Sequence, residues 1–454
     1  MSKKRSKRQK KAKNLDALEQ INLNAAGMDI GAEEVYVAVP KGRDDESVRS
    51  FPTFTADLHR LADWLGDCDI ETVAMEATGV YWIPLFEILE SRGFEVYLVN
   101  ARHIKNVSGR KSDVLDCQWI QQLHTYGLLR PSFRPPEQIC AIRSLVRHRD
   151  MLTKYRSAHI QHMQKALTVM NIRLTNVLSD ITGVTGMKII RAIVAGERNP
   201  EVLASFRHNN CAKNQEEIAK SLEGYYKREQ LFALKQALEL YDFYDHQVRD
   251  CDTELEVLYQ EFDLPDEPGT PPPSPRKGKR RKNQPHFDLA QSLYRMAGVD
   301  LTQVDGLQAI MVQNILSEIG TDMSPWPTAK HFASWLRLSP NNKITGGKVK
   351  QRGTLPSQNR VNTAFRVAAQ SLARSDCALG AFFRRIRAKH GAPIAVTATA
   401  HKLARIVYTM LKNRQPYHDP GASYYEEQYR LRTIRNLQRR ASKLGMRLEP
   451  VGVT

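Results

Sequence analysis

The chain has 454 residues, more than one hydrophobic core usually organises, so two or three domains are expected. Lys and Arg number 67 against 49 Asp and Glu, and the resulting net charge of +18 points to a polyanionic partner, nucleic acid first. The six cysteines, at positions 68, 117, 140, 211, 251 and 377, form no C-x-x-C pair and no His/Cys zinc spacing, which argues against a disulfide scaffold or structural zinc.

The N-terminus (residues 1–24) begins with the basic run KKRSKRQKK and is read as a disordered arm. No apolar leader follows it, and no stretch of about 18 apolar residues occurs, so a cytoplasmic, nucleoid-associated protein is expected. From Gly27 to Pro40, GMDIGAEEVYVAVP reads as strand, tight turn and strand. IETVAM (Ile70–Met75) and FEVYLVN (Phe94–Asn100) are further strands, separated by a helical stretch over 80–92. That alternation predicts an α/β sheet with a crossover, and the unit is taken to span 25–190. DVLDCQWIQQLHTYGLL, from Asp113, carries apolar residues at helical spacing.

Strand signals then fade. Over 191–264 a helical segment is expected, with a seam at Leu231, Leu234, Leu238, Tyr241, Tyr244, Val248, Cys251, Leu255 and Leu258 in steps of three and four. The seam suits either an oligomerisation arm or a helix packed in its own domain. The stretch DEPGTPPPSPRKGKRRKNQP marks a basic, proline-rich linker, taken as 265–290. A helical domain over 291–420 follows, in which VDGLQAIMVQNILSEIG sets a glycine turn before an apolar helix, as in a helix-hairpin-helix. A basic C-terminal helix over 421–454 closes the chain.

Four carboxylates stand out. Asp29 lies at the end of an apolar strand, Glu76 directly follows another, and Asp113 and Asp116 are three apart at a helix start, hence on one face. Singly, each is also explained as a turn residue, a surface charge or a helix cap. Together they offer the all-oxygen ligand set that a hard divalent cation takes in phosphodiester chemistry.

The segments GMDIG, MEATGVYW and KSDVLDCQW resemble, in order and spacing, the three motifs of the DEDD transposases of the insertion sequence 110 family. The likeness continues through VDGLQAIMVQNILSEIG, WLRLSPNNKITGGKV, NRVNTAFRVAAQSL and TAHKLARIVYTML, while NNKITGGK and the C-terminal YYEEQYRLRTIRNLQRRASKLGMRLEP look like its 1111 subgroup. The resemblance implies an α/β RNase-H-like (RuvC-like) N-terminal domain, a helical coiled-coil segment and an all-α transposase domain. It implies a DNA transposase or recombinase that moves its own element, with Asp29, Glu76, Asp113 and Asp116 as a catalytic tetrad holding Mg2+ or Mn2+. Partners implied are DNA, a structured noncoding bridge RNA and further copies of the chain as a dimer or tetramer, with no membrane.

The family's second domain carries a serine before a glycine, the implied nucleophile; here that position is Thr345, followed by Gly346, Gly347 and Lys348. A threonine hydroxyl can attack phosphorus, although its methyl group crowds the approach. Ser339 and Ser357 are nearby alternatives, and T-G-G-K alone is equally a plain turn. Gly346, Gly347, Lys348, Lys350, Arg352 and Arg360 are candidates for phosphate contact, with Arg366, Arg384, Arg385 and Arg387 along the same domain. Two competing readings use the same residues: a RuvC-like nuclease or Holliday-junction resolvase without a covalent intermediate, and a non-catalytic nucleic-acid-binding scaffold.

Overall fold

A computed structural model describes residues 19–77, 79–100, 113–263, 283–346, 348–351 and 353–449. Contacts divide the chain into two units, 1–134 and 135–454. Residues 135–190, grouped with the α/β domain on sequence, therefore fall in the second unit.

In the first unit, β1 (Ala25–Ile30), β2 (Glu34–Ala38) and β3 (Val48–Pro52) form an antiparallel meander. On the other side of β1, β4 (Thr72–Glu76) and β5 (Glu95–Val99) pair in parallel, giving the order β3-β2-β1-β4-β5. Helices α1 (Thr55–Asp67) and α2 (Trp82–Ser91) connect β3 to β4 and β4 to β5. They cover one face, where Met28, Ile30, Val73 and Met75 pack against Leu61 and Leu85. The other face is covered by α3 (Asp113–Thr125), whose Ile120 and Leu123 pack against Ala74 and Val99. Burial on both faces explains why the parallel strands read as apolar runs with little alternation. The arrangement matches the expected RNase-H-like domain.

The second unit is mostly helical. Helices α4 (Glu137–Val169) and α9 (Arg228–Gln260) run antiparallel as a long hairpin. Between them, α5 (Leu174–Val177), α6 (Val184–Val194), α7 (Pro200–Ala204) and α8 (Gln215–Ser221) close the far end around Met163, Ile189, Ile193, Leu203, Ile218 and Leu234. The predicted seam on α9 is buried at Leu234, Leu238, Val248, Cys251 and Leu255, and its partner is α4 of the same chain. A buried Arg149–Asp252 ion pair and Arg156–Asp245 at 2.5 Å fix the register.

Of the expected linker, 265–282 lies outside the described residues. Asn283 is not loose: its carbonyl accepts from Arg149 Nη2 at 3.1 Å and its side chain from Arg156 Nη2 at 2.7 Å. Most of the expected N-terminal arm (1–18) also lies outside them, while the amides of Ile21 and Asn22 donate to Thr125 O.

The C-terminal helices are α10 (Leu289–Ala297), α11 (Ala309–Ile319), α12 (Ala329–Trp335), α13 (Arg360–Ser371), α14 (Ala378–His390), α15 (Ala392–Asn413) and α16 (Ala422–Lys443). Asp288 and Asn359 cap α10 and α13 through their side chains, as expected of helix-starting residues. Arg143 donates to the carbonyls of Ser317 and Glu318 at the end of α11, tying that helix to α4. Among the described residues the departure from an all-helical domain is a hairpin of β6 (Lys343–Thr345) and β7 (Lys348–Gln351). Among the described residues no helix is long and apolar enough to cross a membrane.

Candidate active site

Strand alternation decides which way the acidic residues point. Ala26, Met28 and Ile30 face α1 and α2, so Gly27 and Asp29 face α3; on β4, Val73 and Met75 face α1 and α2, so Ala74 and Glu76 face α3. The parallel register sets Met28 beside Met75, and one residue further Asp29 lies beside Glu76 at the carboxyl ends of adjacent strands. Both are half-buried.

Helix α3 runs antiparallel to these strands. Its last turn lies at their start, where His124 Nε2 is 2.9 Å from Thr72 Oγ1. At mid-strand the helix backbone touches β1 so closely that a Cβ on Gly27 would lie 2.1 Å from Gln121 N and 2.5 Å from Cys117 O. The first turn of α3 is thereby carried toward the carboxyl ends of the strands, and Asp116 on it is half-buried. Asp113 opens the same helix, but its side chain lies outside what the structure describes.

The Cys117 thiol is pushed up to about 12, first by burial and further by the charges of Asp29 and Asp116, both of which lie near enough to act on it. At the other end of α3 burial pushes His124 down to about 4, and its ring lies 4.6 Å from that of Tyr97.

Thr345 is exposed at the end of β6, paired with Lys348 across the turn. Gly346 has φ +58°, which supplies the left-handed backbone this two-residue turn needs. The hairpin is closed at its base by Asn341 N donating to Gly353 O at 2.7 Å. Lys348 and Lys350 are exposed, whereas Gly347 and Arg352 lie outside the described residues. Ser339 is half-buried, and Ser357 Oγ accepts from Asn359 N at 3.2 Å. Arg360 is ion-paired with Asp150 at 3.1 Å. Arg366 donates to Thr397 Oγ1 and Arg384 to Ser375 O, so the structure employs several of the expected phosphate contacts internally.

Residues 26–172 match the model of the IS110-type DEDD transposases, and residues 299–384 match a second model, described as transposase, IS116/IS110/IS902 family. The chain belongs to the IS110 family of transposases. Among curated proteins none matches it significantly. This transposase is therefore a DNA-acting recombination enzyme, and the first match covers Asp29, Glu76, Asp113 and Asp116.

Transposases of this DEDD type work with a divalent metal, and Asp29, Glu76 and Asp116 fit one by donor type: they offer only hard oxygen donors. Another acidic group does not fit as well. Asp305, Cys377 and Asp419 bring ligand atoms within 4.8 Å of one another, and among the described residues this is the group of three that does so, rather than Asp29, Glu76 and Asp116. Cys377 is the N-cap of α14, accepting from Gly380 N, and Asp419 accepts from Ala378 N in the same first turn. These groups satisfy a helix N-terminus, whose positive end disfavours a cation.

In the sequence Gly27 carries no expectation beyond its place in the first strand. The signal for it is a small residue two positions before Asp29, on the face that carries the acid.

Proposed function

We propose that this transposase excises and inserts its own element at a centre in which Asp29, Glu76, Asp113 and Asp116 hold Mg2+ or Mn2+ and Thr345 supplies the nucleophile. The observation that supports the reading is the meeting of Asp29 and Glu76 on one sheet face with the Asp116 end of α3. Bound there, the ions would stabilise charge on the transferring phosphoryl group and its leaving oxygen. The Thr345 hydroxyl loses its proton and forms an Oγ–P bond as the phosphorus–oxygen bond to the leaving nucleotide breaks; the leaving oxygen takes up a proton, and nothing is oxidised. The hydroxyl suits this role because it is exposed and forms no hydrogen bond among the described residues.

The reading extends to partners. Lys348 and Lys350, with Gly346, Gly347 and Arg352, contact the nucleic-acid backbone, Arg360 joins them on leaving its ion pair with Asp150, and a structured noncoding RNA pairs with target and donor DNA. The working form is a homo-oligomer in which copies share the two sites.

The test is a denaturing gel of protein incubated with labelled element-end DNA, divalent ion and the candidate RNA. Thr345→Ala is expected to lose the covalent protein–DNA band, and Thr345→Ser to keep it. A band that persists in Thr345→Ala and vanishes in Ser339→Ala or Ser357→Ala would move the nucleophile. Cleavage with no band in the unmodified protein would favour a RuvC-like nuclease.

A further inference from the structure

Helix α16 buries none of its 22 residues, so little tertiary packing holds it. From Arg430 to Leu448 the chain carries seven cations and no carboxylate. Arg432, Arg435, Arg439 and Lys443 recur in steps of three and four, forming one exposed stripe about 16 Å long at 1.5 Å per residue. Among the described residues, ring contacts anchor the first turns of the helix. Arg385 of α14 lies 3.9 Å from the Tyr429 ring and 5.2 Å from that of Tyr425, and Lys402 of α15 lies 4.1 Å from Phe382 and 5.4 Å from Tyr425.

The anchor is itself cationic. Burial pushes the Lys402 ammonium down, and the nearby Arg385, Arg432 and Arg405 push it further. Among the described residues none of these cations, nor any on the stripe, forms an ion pair with a carboxylate, so no described acid neutralises the repulsion. Repelling cations on an otherwise unburied helix are stabilised by a polyanion that spans them.

We infer that α16 is a DNA-backbone-binding arm, in which Arg432, Arg435, Arg439 and Lys443 lie along the phosphates of duplex DNA outside the reacting phosphodiester. It rests on the chain's being a DNA transposase, not on the identity of the nucleophile or the metal. A stripe of about 16 Å reaches along roughly five phosphates of one strand, which at 3.4 Å apiece matches four cations. The opposite face carries Ile434, Leu437, Ala441 and Leu444, a seam of about two heptads. Pairing with a second copy along it would set two helices of net positive charge together, which favours DNA as the occupant.

The test is equilibrium binding of the full-length protein to a 40-base-pair duplex over a salt series, with Arg432→Gln, Arg435→Gln, Arg439→Gln and Lys443→Gln combined. The slope of log affinity against log salt should shrink by about 3 to 4, at roughly 0.9 per lost phosphate contact, and affinity at moderate salt should fall tenfold or more. Replacing the three arginines by lysine should keep most of the slope. Because the helix buries nothing, the thermal midpoint should stay within about 2 °C. Thr345→Ala should bind DNA with the full slope, so the arm and the nucleophile fail separately. An unchanged slope in the glutamine variant overturns the inference. So does loss of an oligomer by sedimentation with DNA binding intact, or a loss confined to RNA duplexes.

Discussion

Gly27 and His124 show how single residues set α3 against the sheet. With Gln121 N and Cys117 O where a Cβ would go, Gly27→Ala must push α3 off β1 and carry Asp116 away from Asp29. A stability loss of about 1–3 kcal/mol is expected, together with a larger drop in strand transfer than the unfolding explains, checked by denaturant titration beside an activity assay. His124 sets a pH window. Its folded value is depressed from 6.5 to about 4, so the unfolded chain takes up a proton first as pH falls. Stability is then present above pH 6.5 and is lost between 6.5 and 4, by up to about 3 kcal/mol, whereas His124→Gln should flatten that part of the curve. The four acids were legible in the sequence as carboxylates at strand ends and at a helix start. The sheet face that Asp29 and Glu76 share was not, because it depends on the parity of β1 against β4.

Among the elements, the α4–α9 hairpin was half legible. Steps of three and four gave α9 its seam, but periodicity does not say which helix fills it, and α4 of the same chain does. The buried Arg149–Asp252 pair makes that choice testable. Asp252→Ala leaves a buried guanidinium without its carboxylate and should cost about 3–5 kcal/mol in denaturant titration, while Arg149→Met with Asp252→Leu should recover most of it. A small loss in the single variant would show that water reaches the pair. Strand β3 was missed because VRSFP at the sheet edge is half-exposed and shows no clear alternation. The β6–β7 hairpin was visible only as a possible turn: three- and four-residue strands are too short to carry a periodic signal, and what marks the position is T-G-G-K with its left-handed glycine. Helix α16 falls within the stretch expected to be a basic helix, yet its lack of burial, the feature that suggests a role, is a property of packing.

At the scale of the molecule, the +18 charge and the two family matches agree on a DNA-acting enzyme, and the division near residue 134 separates the acidic centre from the helical unit that carries Thr345 and α16. The order of motifs along the chain carried the family; the sheet order β3-β2-β1-β4-β5 explains why residues far apart in that order arrive at one edge. The central claim is that the acids of that edge jointly hold a divalent ion. Electron paramagnetic resonance of Mn2+ titrated into the full-length protein tests it most directly. The account predicts saturable binding that Asp29→Asn, Glu76→Gln and Asp116→Asn each weaken at least tenfold, with Asp305→Asn and Asp419→Asn unaffected. Unaltered Mn2+ affinity in the first three variants, or its loss in the last two, would contradict it.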